Sequence, residues 1–178
     1  MAFVPFASVD RGALRWQRTV DTPMEFTLSS GEKLVARLRW AHSGGSLATV
    51  ELAGATWSVE RGGFLNPHLI AREGEHGPIL GRLTAHMSHH TIELPTGVAY
   101  RFHRAGILVP AWTVSRADGQ EVLHLEPVRE GRKLEAGAVI PAADATSLPE
   151  LLLLTVLAWH FIVLAWFEDE ALVPLEGS

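Results

Sequence analysis

The sequence predicts a mainly β protein, an antiparallel closed β-barrel of about twelve strands wrapped around one hydrophobic C-terminal helix. Three observations lead there. Short apolar-alternating segments recur roughly every ten residues between residues 14 and 140. Gly, Pro and Asp punctuate them, and an unbroken apolar run, 151–167, follows.

The strands are read at 14–19, 24–28, 34–40, 47–52, 56–61, 69–72, 79–85, 91–94, 98–102, 108–115, 121–128 and 134–140. In 34–40, Leu34, Ala36, Leu38 and Trp40 share one face while Arg37 and Arg39 share the other, the period-2 signature of a half-buried strand. Val98, Tyr100 and Phe102 repeat it, with Arg101 and His103 opposite. Ser30-Gly31, Gly44-Gly45, Ala53-Gly54, Thr96-Gly97 and Asp118-Gly119 tolerate the positive φ of tight turns, so most neighbours pair antiparallel. Gly62-Gly63 and Asn66-Pro67 bend the chain between strands and cradle no phosphate, because no helix pattern follows them.

The chain of 178 residues is 47% hydrophobic and 20% charged, which excludes disorder. It has the length of one domain, 1–178, with 148–167 as its central helix. Cysteine is absent, so disulfides, thiol catalysis and iron–sulfur clusters are excluded. With no secretory pattern at Met1-Ala-Phe-Val-Pro-Phe6, a cytoplasmic location is expected. The net charge of −5 is uneven: residues 1–120 hold 12 Lys+Arg against 10 Asp+Glu, and residues 121–178 hold 3 against 10. Without a basic block, no nucleic-acid partner is expected.

In the helix, Ser147 is placed as N-cap, with Pro149 and Glu150 in the first turn. The run is apolar on every side, so protein or lipid must surround it. At about 1.5 Å per residue it falls slightly short of a bilayer's roughly 30 Å core. His160 sits near its centre and both flanks are acidic. These features favour a buried helix over a C-terminal tail anchor, and no membrane span is expected. Leu151, Leu154, Trp159, His160 and Trp166 are then core positions, and Trp40, Trp57 and Trp112 join them.

The hairpin Val109-Pro-Ala-Trp-Thr-Val-Ser-Arg-Ala-Asp-Gly-Gln-Glu-Val122, the spacing of the hairpins before it and the helix 151–167 resemble the tubby C-terminal-like superfamily, which includes LURP-one-related proteins and phospholipid scramblases. The resemblance implies a closed barrel with the last helix along its axis. It also implies phosphoinositide binding, lipid movement or undefined regulatory roles, depending on the branch. The acidic calcium segment, cysteine-rich palmitoylation region and Pro-rich N-terminus of scramblases have no counterpart here.

Among chemical constellations, Arg15, Arg18, Arg37 and Arg39 are candidates for an outward anion-binding patch, against the plainer reading of solvated strand faces. His86, His89 and His90, with Glu93 nearby, invite a metal site. In one straight strand His86 and His90 lie about 13 Å apart and meet only if 87–89 form a hairpin tip, so exposed loop histidines are expected and no metal. His160 reads as a neutral core histidine hydrogen-bonded to a strand backbone or an inward polar group. Glu168-Asp169-Glu170 reads as solubilising charge. No G-x-S-x-G or H-E-x-x-H motif occurs, and no cofactor is expected. The resulting expectation is a non-enzymatic binding or regulatory module whose ligand is an anionic lipid headgroup or a protein partner. The alternatives are a tail-anchored protein with a cytosolic β-domain and a histidine-metal β-barrel enzyme.

Overall fold

Twelve strands follow one another around a closed ring in the computed structural model, which describes residues 2–42, 45–63, 67–87, 89–106 and 110–172, with side chains to residue 168. They are β1 (Leu14–Val20), β2 (Glu25–Ser30), β3 (Lys33–Trp40), β4 (Leu47–Leu52), β5 (Ala55–Gly62), β6 (His68–Glu73), β7 (Ile79–Ala85), β8 (His90–Glu93), β9 (Ala99–Ala105), β10 (Ala111–Ser115), β11 (Glu121–Glu130) and β12 (Lys133–Pro141). Each pairs antiparallel with its sequence neighbours, and β1 closes the ring on β12, with Leu14 opposite Val139 and Gln17 opposite Ala136. The barrel is therefore an up-and-down meander without a free edge.

The alternation fixes which side chains enter. Leu14 and Trp16 on β1, Phe26 and Leu28 on β2, and Ala36, Leu38 and Trp40 on β3 are buried on the inner face. Gly31, Gly54, Gly97 and Gly119 do adopt positive φ in their turns, whereas Gly44, Asn66 and residues 108–109 lie outside the described residues. Val98 departs from expectation: it precedes β9, accepts the Leu94 amide through its carbonyl in the turn, and is exposed.

Twelve strands enclose more space than their own side chains fill, since about eight already make an interior just wide enough for them. Helix α1 (Leu151–Leu172) occupies it. Leu151, Leu154, Leu157, Trp159 and Val163 are fully buried, and Trp159 stacks on Trp16 at 5.8 Å between centroids. Of the apolar window 151–168, 72% is buried inside the protein.

Two inward glycines admit the helix. A Cβ at Gly137 on β12 would collide with the Trp159 ring, and one at Gly81 on β7 would lie 3.1 Å from a Leu153 methyl. These strands stand five places apart around the ring of twelve, so α1 is seated between two walls that have shed their side chains.

The helix opens at Leu151, later than Ser147 would cap it. Residues Ala143–Ala145 form a 3₁₀ turn, the Leu148 amide bonds the Ala145 carbonyl, and Tyr100 donates a hydrogen bond to the Glu150 carboxylate, which pins the approach. Buried at 3% exposure beside that carboxylate, the Tyr100 phenol is pushed up to about 12, by burial first and then by Glu150. At the other mouth Arg61 pairs with Glu168, and Trp166 Nε1 donates to the Arg132 carbonyl at 2.9 Å. Glu168 is thus tied to the barrel rim, and the side chains of Asp169 and Glu170 lie outside the described residues.

Candidate functional site

Register separates the four arginines of the expected patch. Arg15 is exposed on the outer face of β1. Arg18, an odd number of residues away, falls level with Phe26 and Leu38 on the inner face at the rim, where its guanidinium lies 5.9 Å from the Phe26 ring and pairs with Asp21 at 3.0 Å. Arg37 and Arg39 stand two strands from β1, and carboxylates already meet them. Arg39 pairs with Glu25 at 2.7 Å, while Arg37 pairs with Glu51 at 2.9 Å and with Glu25 at 3.5 Å. Glu25 is 6% exposed. Burial alone would raise its carboxyl, but the Thr19 hydroxyl and the Arg39 and Arg37 guanidiniums outweigh that and hold it below the usual range. This is a neutralised ladder across β2, β3 and β4, and it leaves little charge for an incoming anion.

A different cationic surface lies across the barrel. β7 and β8 form a hairpin with His86, Met87 and His89 in its tip, the one geometry that brings the histidines together. The His86 and His89 rings lie 5.7 Å apart, and the His90 ring turns inward onto Phe161 at 4.3 Å and Trp112 at 6.0 Å. His86 and His89 are exposed as expected, but His90 is half-buried. Its pKa is lowered, by desolvation first and then by repulsion from His86 and His89.

Beside this tip a cleft of about 590 Å³ wraps over the barrel rim, lined from the outer face of β9 and β10 by Arg101, His103 and Ser115, from the inner face by His90, Arg104 and Trp112, and by Met87, His89 and Gly119 in the connecting turns. Two guanidiniums and three imidazoles line it, and no carboxylate does. Arg101 and His103 alternate onto the same outer face, about 7 Å apart along the strand. Arg104, opposite Trp112, guards the rim. Unlike Arg37 and Arg39, the side chains of Arg101, His103 and Arg104 have no ion-pair or hydrogen-bond partner among the described residues. The alternation in 98–102 placed Arg101 and His103 outward, but only the register brings the histidine tip over them.

Inside, His160 is fully buried and neutral: burial first, and the charge of Arg61 second, lower its pKa to about 3. The expected hydrogen bond is not made. Neither ring nitrogen has a partner among the described residues, and the ring packs against Trp40 at 4.9 Å between centroids. Trp40 and Trp159 are core as expected, while Trp57, Trp112 and Trp166 are only partly buried.

Metal chemistry has little to build on. Among the described residues no group of three or more His, Asp or Glu is placed to hold an ion, and the arginines beside His89 and His103 repel a cation. The fold and site together define a closed meander barrel, cored by its own C-terminal helix, with a cationic cleft on its outer wall. Compared with family models, curated proteins and solved structures, the chain matches none.

Proposed function

We propose that this chain is a non-enzymatic binding or regulatory module of tubby-like architecture whose ligand presents an anionic group, a lipid headgroup being the leading instance. One observation carries the reading: a cleft of ligand size is lined by Arg101, Arg104 and three histidines with no carboxylate among them. Guanidiniums present forked donors matched to phosphate and carboxylate oxygens, and an ion-paired arginine must first give up its partner to use them. Among the described residues Arg101 and Arg104 have none to give up, so the cleft is a stronger candidate than the ladder around Glu25. The helix supports the same reading against a tail anchor, because its apolar surface is already covered by the barrel.

The test is binding of the full-length protein to phosphatidylcholine vesicles with and without phosphatidate, at low and moderate salt. Wild-type protein is expected to float with the anionic vesicles only, and Arg101→Gln/Arg104→Gln to lose at least about tenfold in affinity, the order of two charge-assisted hydrogen bonds. Arg15→Gln is expected to behave as wild type. Equal binding to neutral vesicles, or an unchanged double variant, would reject this assignment.

A further inference from the structure

Three imidazoles line a site that already carries two fixed cations, with a fourth, His86, beside His89, and that arrangement has a chemistry of its own. We propose that the cleft takes a tetrahedral oxyanion, phosphoryl or sulfuryl, together with a proton, so that its affinity rises as pH falls. The inference rests on the anion-binding reading above and goes beyond it by naming the class of anion and its regulation.

The groups that face the site come from every element around it. The β7–β8 tip contributes His86, His89 and His90; β9 contributes Arg101, His103 and Arg104; β10 contributes Ser115 and Trp112. Phe161 on α1 covers the His90 ring from inside. The surrounding acids are engaged elsewhere or face outward beyond the lining. Glu121 and Glu126 on β11 lie 4.0 and 3.5 Å from His124, and Glu93 on β8 and Asp118 in the β10–β11 turn do not line the cleft.

In the free protein a proton on His90 would sit half-buried and close to two other imidazoles, which is why it is held off. An anion held by Arg101 beside His103 on the outer face of β9, with Arg104 reached over the rim, reverses the sign of the local field. It favours the charged form of any imidazole beside it, so the imidazole nitrogen takes a proton from solvent as the anion binds, with no covalent bond made or broken. By linkage, a site that gains one proton on binding tightens about tenfold for each unit of pH lowered, until the histidines are charged in the free protein too. A tetrahedral group with several charged oxygens suits this geometry better than a carboxylate. It can meet Arg101 and the His103 imidazole, about 7 Å apart on one face of β9, from different directions, with a further oxygen turned toward Arg104 at the rim.

The probe is inositol hexasulfate, whose charge does not change in this range, titrated calorimetrically into the full-length protein between about pH 8 and about pH 6 in two buffers of different ionisation enthalpy. The expected result is uptake of about one proton per anion and an affinity gain of about tenfold per pH unit. His89→Gln/His90→Gln/His103→Gln is expected to retain arginine-dependent binding at the high-pH end and to lose the pH dependence. Because His90 packs on Phe161, the pair His89→Gln/His103→Gln, which leaves that contact in place, serves as a second variant, expected to show a reduced proton count with an unchanged circular dichroism spectrum. Phosphatidylcholine vesicles carrying sulfatide separate the two sources of such an anion: a pH-dependent gain on the vesicles assigns a lipid headgroup, and a gain with the soluble polysulfate alone assigns a free ester. Equal affinity at both pH values with no proton uptake would overturn proton coupling and leave the anion site standing. Failure of the polysulfate and the sulfatide vesicles to bind at any pH would overturn both.

Discussion

His160 shows what a single buried side chain does to a pH profile. Its folded pKa of about 3 lies below the ordinary histidine value near 6.5, so it is the unfolded chain that binds the extra proton. Its contribution is therefore intact above about pH 6.5 and is lost as pH falls toward the folded value, at up to about 1.4 kcal/mol per unit. Glu25 is also depressed, but as a carboxylate it contributes above its unfolded value of 4.5 and is lost only below that. The upper part of an acid transition thus belongs to the buried imidazoles, His160 first and the half-buried His90 with it. His160→Leu, which replaces two unpartnered nitrogens with apolar atoms, is expected to be neutral or about 1 kcal/mol more stable at neutral pH. It should also flatten the loss between about pH 6 and pH 5, as measured by urea unfolding at each pH. At this scale the sequence was informative about burial and silent about pairing. An imidazole within an all-round apolar run had to be inside, but whether a strand group would meet it depends on how the helix turns within the ring. The arginines are the converse case. Positions 15 and 18 differ in parity, so period-2 alternation already sent their side chains to opposite faces, and pooling them by charge overlooked it.

The helix and the strands that seat it are coupled through absent side chains. Gly137→Ala would drive a methyl group into the Trp159 ring, which is itself held between Trp16 and Phe26, so the ring has nowhere to retreat. The expected cost is about 1–3 kcal/mol, the range for overpacking a filled core. For a chain of this size that is a fall in Tm of about 2–4 °C per kcal/mol, read by thermal denaturation. All twelve strands and the helix were legible as elements because their alternation and composition are local properties. The glycines that admit the helix were not, since an inward glycine in a strand looks the same in sequence as one that marks a bulge or a weak strand. The start of the helix was misplaced for a related reason. Ser147 has the chemistry of a cap, but the 3₁₀ turn at Ala143–Ala145 and the Tyr100–Glu150 hydrogen bond hold the chain off axis until Leu151.

For the molecule as a whole, removing residues 148–178 is expected to leave a barrel whose inward apolar side chains face emptiness or water. The truncated chain should aggregate or lose its near-ultraviolet dichroism, whereas a β-domain independent of its helix would stay soluble and folded. The cleft was the least legible feature. It is assembled from the β7–β8 tip, β9 and the edge of Trp112, which the register of the successive β7–β8, β8–β9 and β9–β10 pairings brings alongside one another. Ring closure also bears on synthesis. The strand that seals the ring, β12, leaves the ribosome before the helix that fills it, so the helix enters either through a mouth of the barrel or through an unsealed β1–β12 seam. By either route the inward faces of the strands exist before the helix that covers them, so a nascent chain of this kind carries exposed apolar surface on both until they meet.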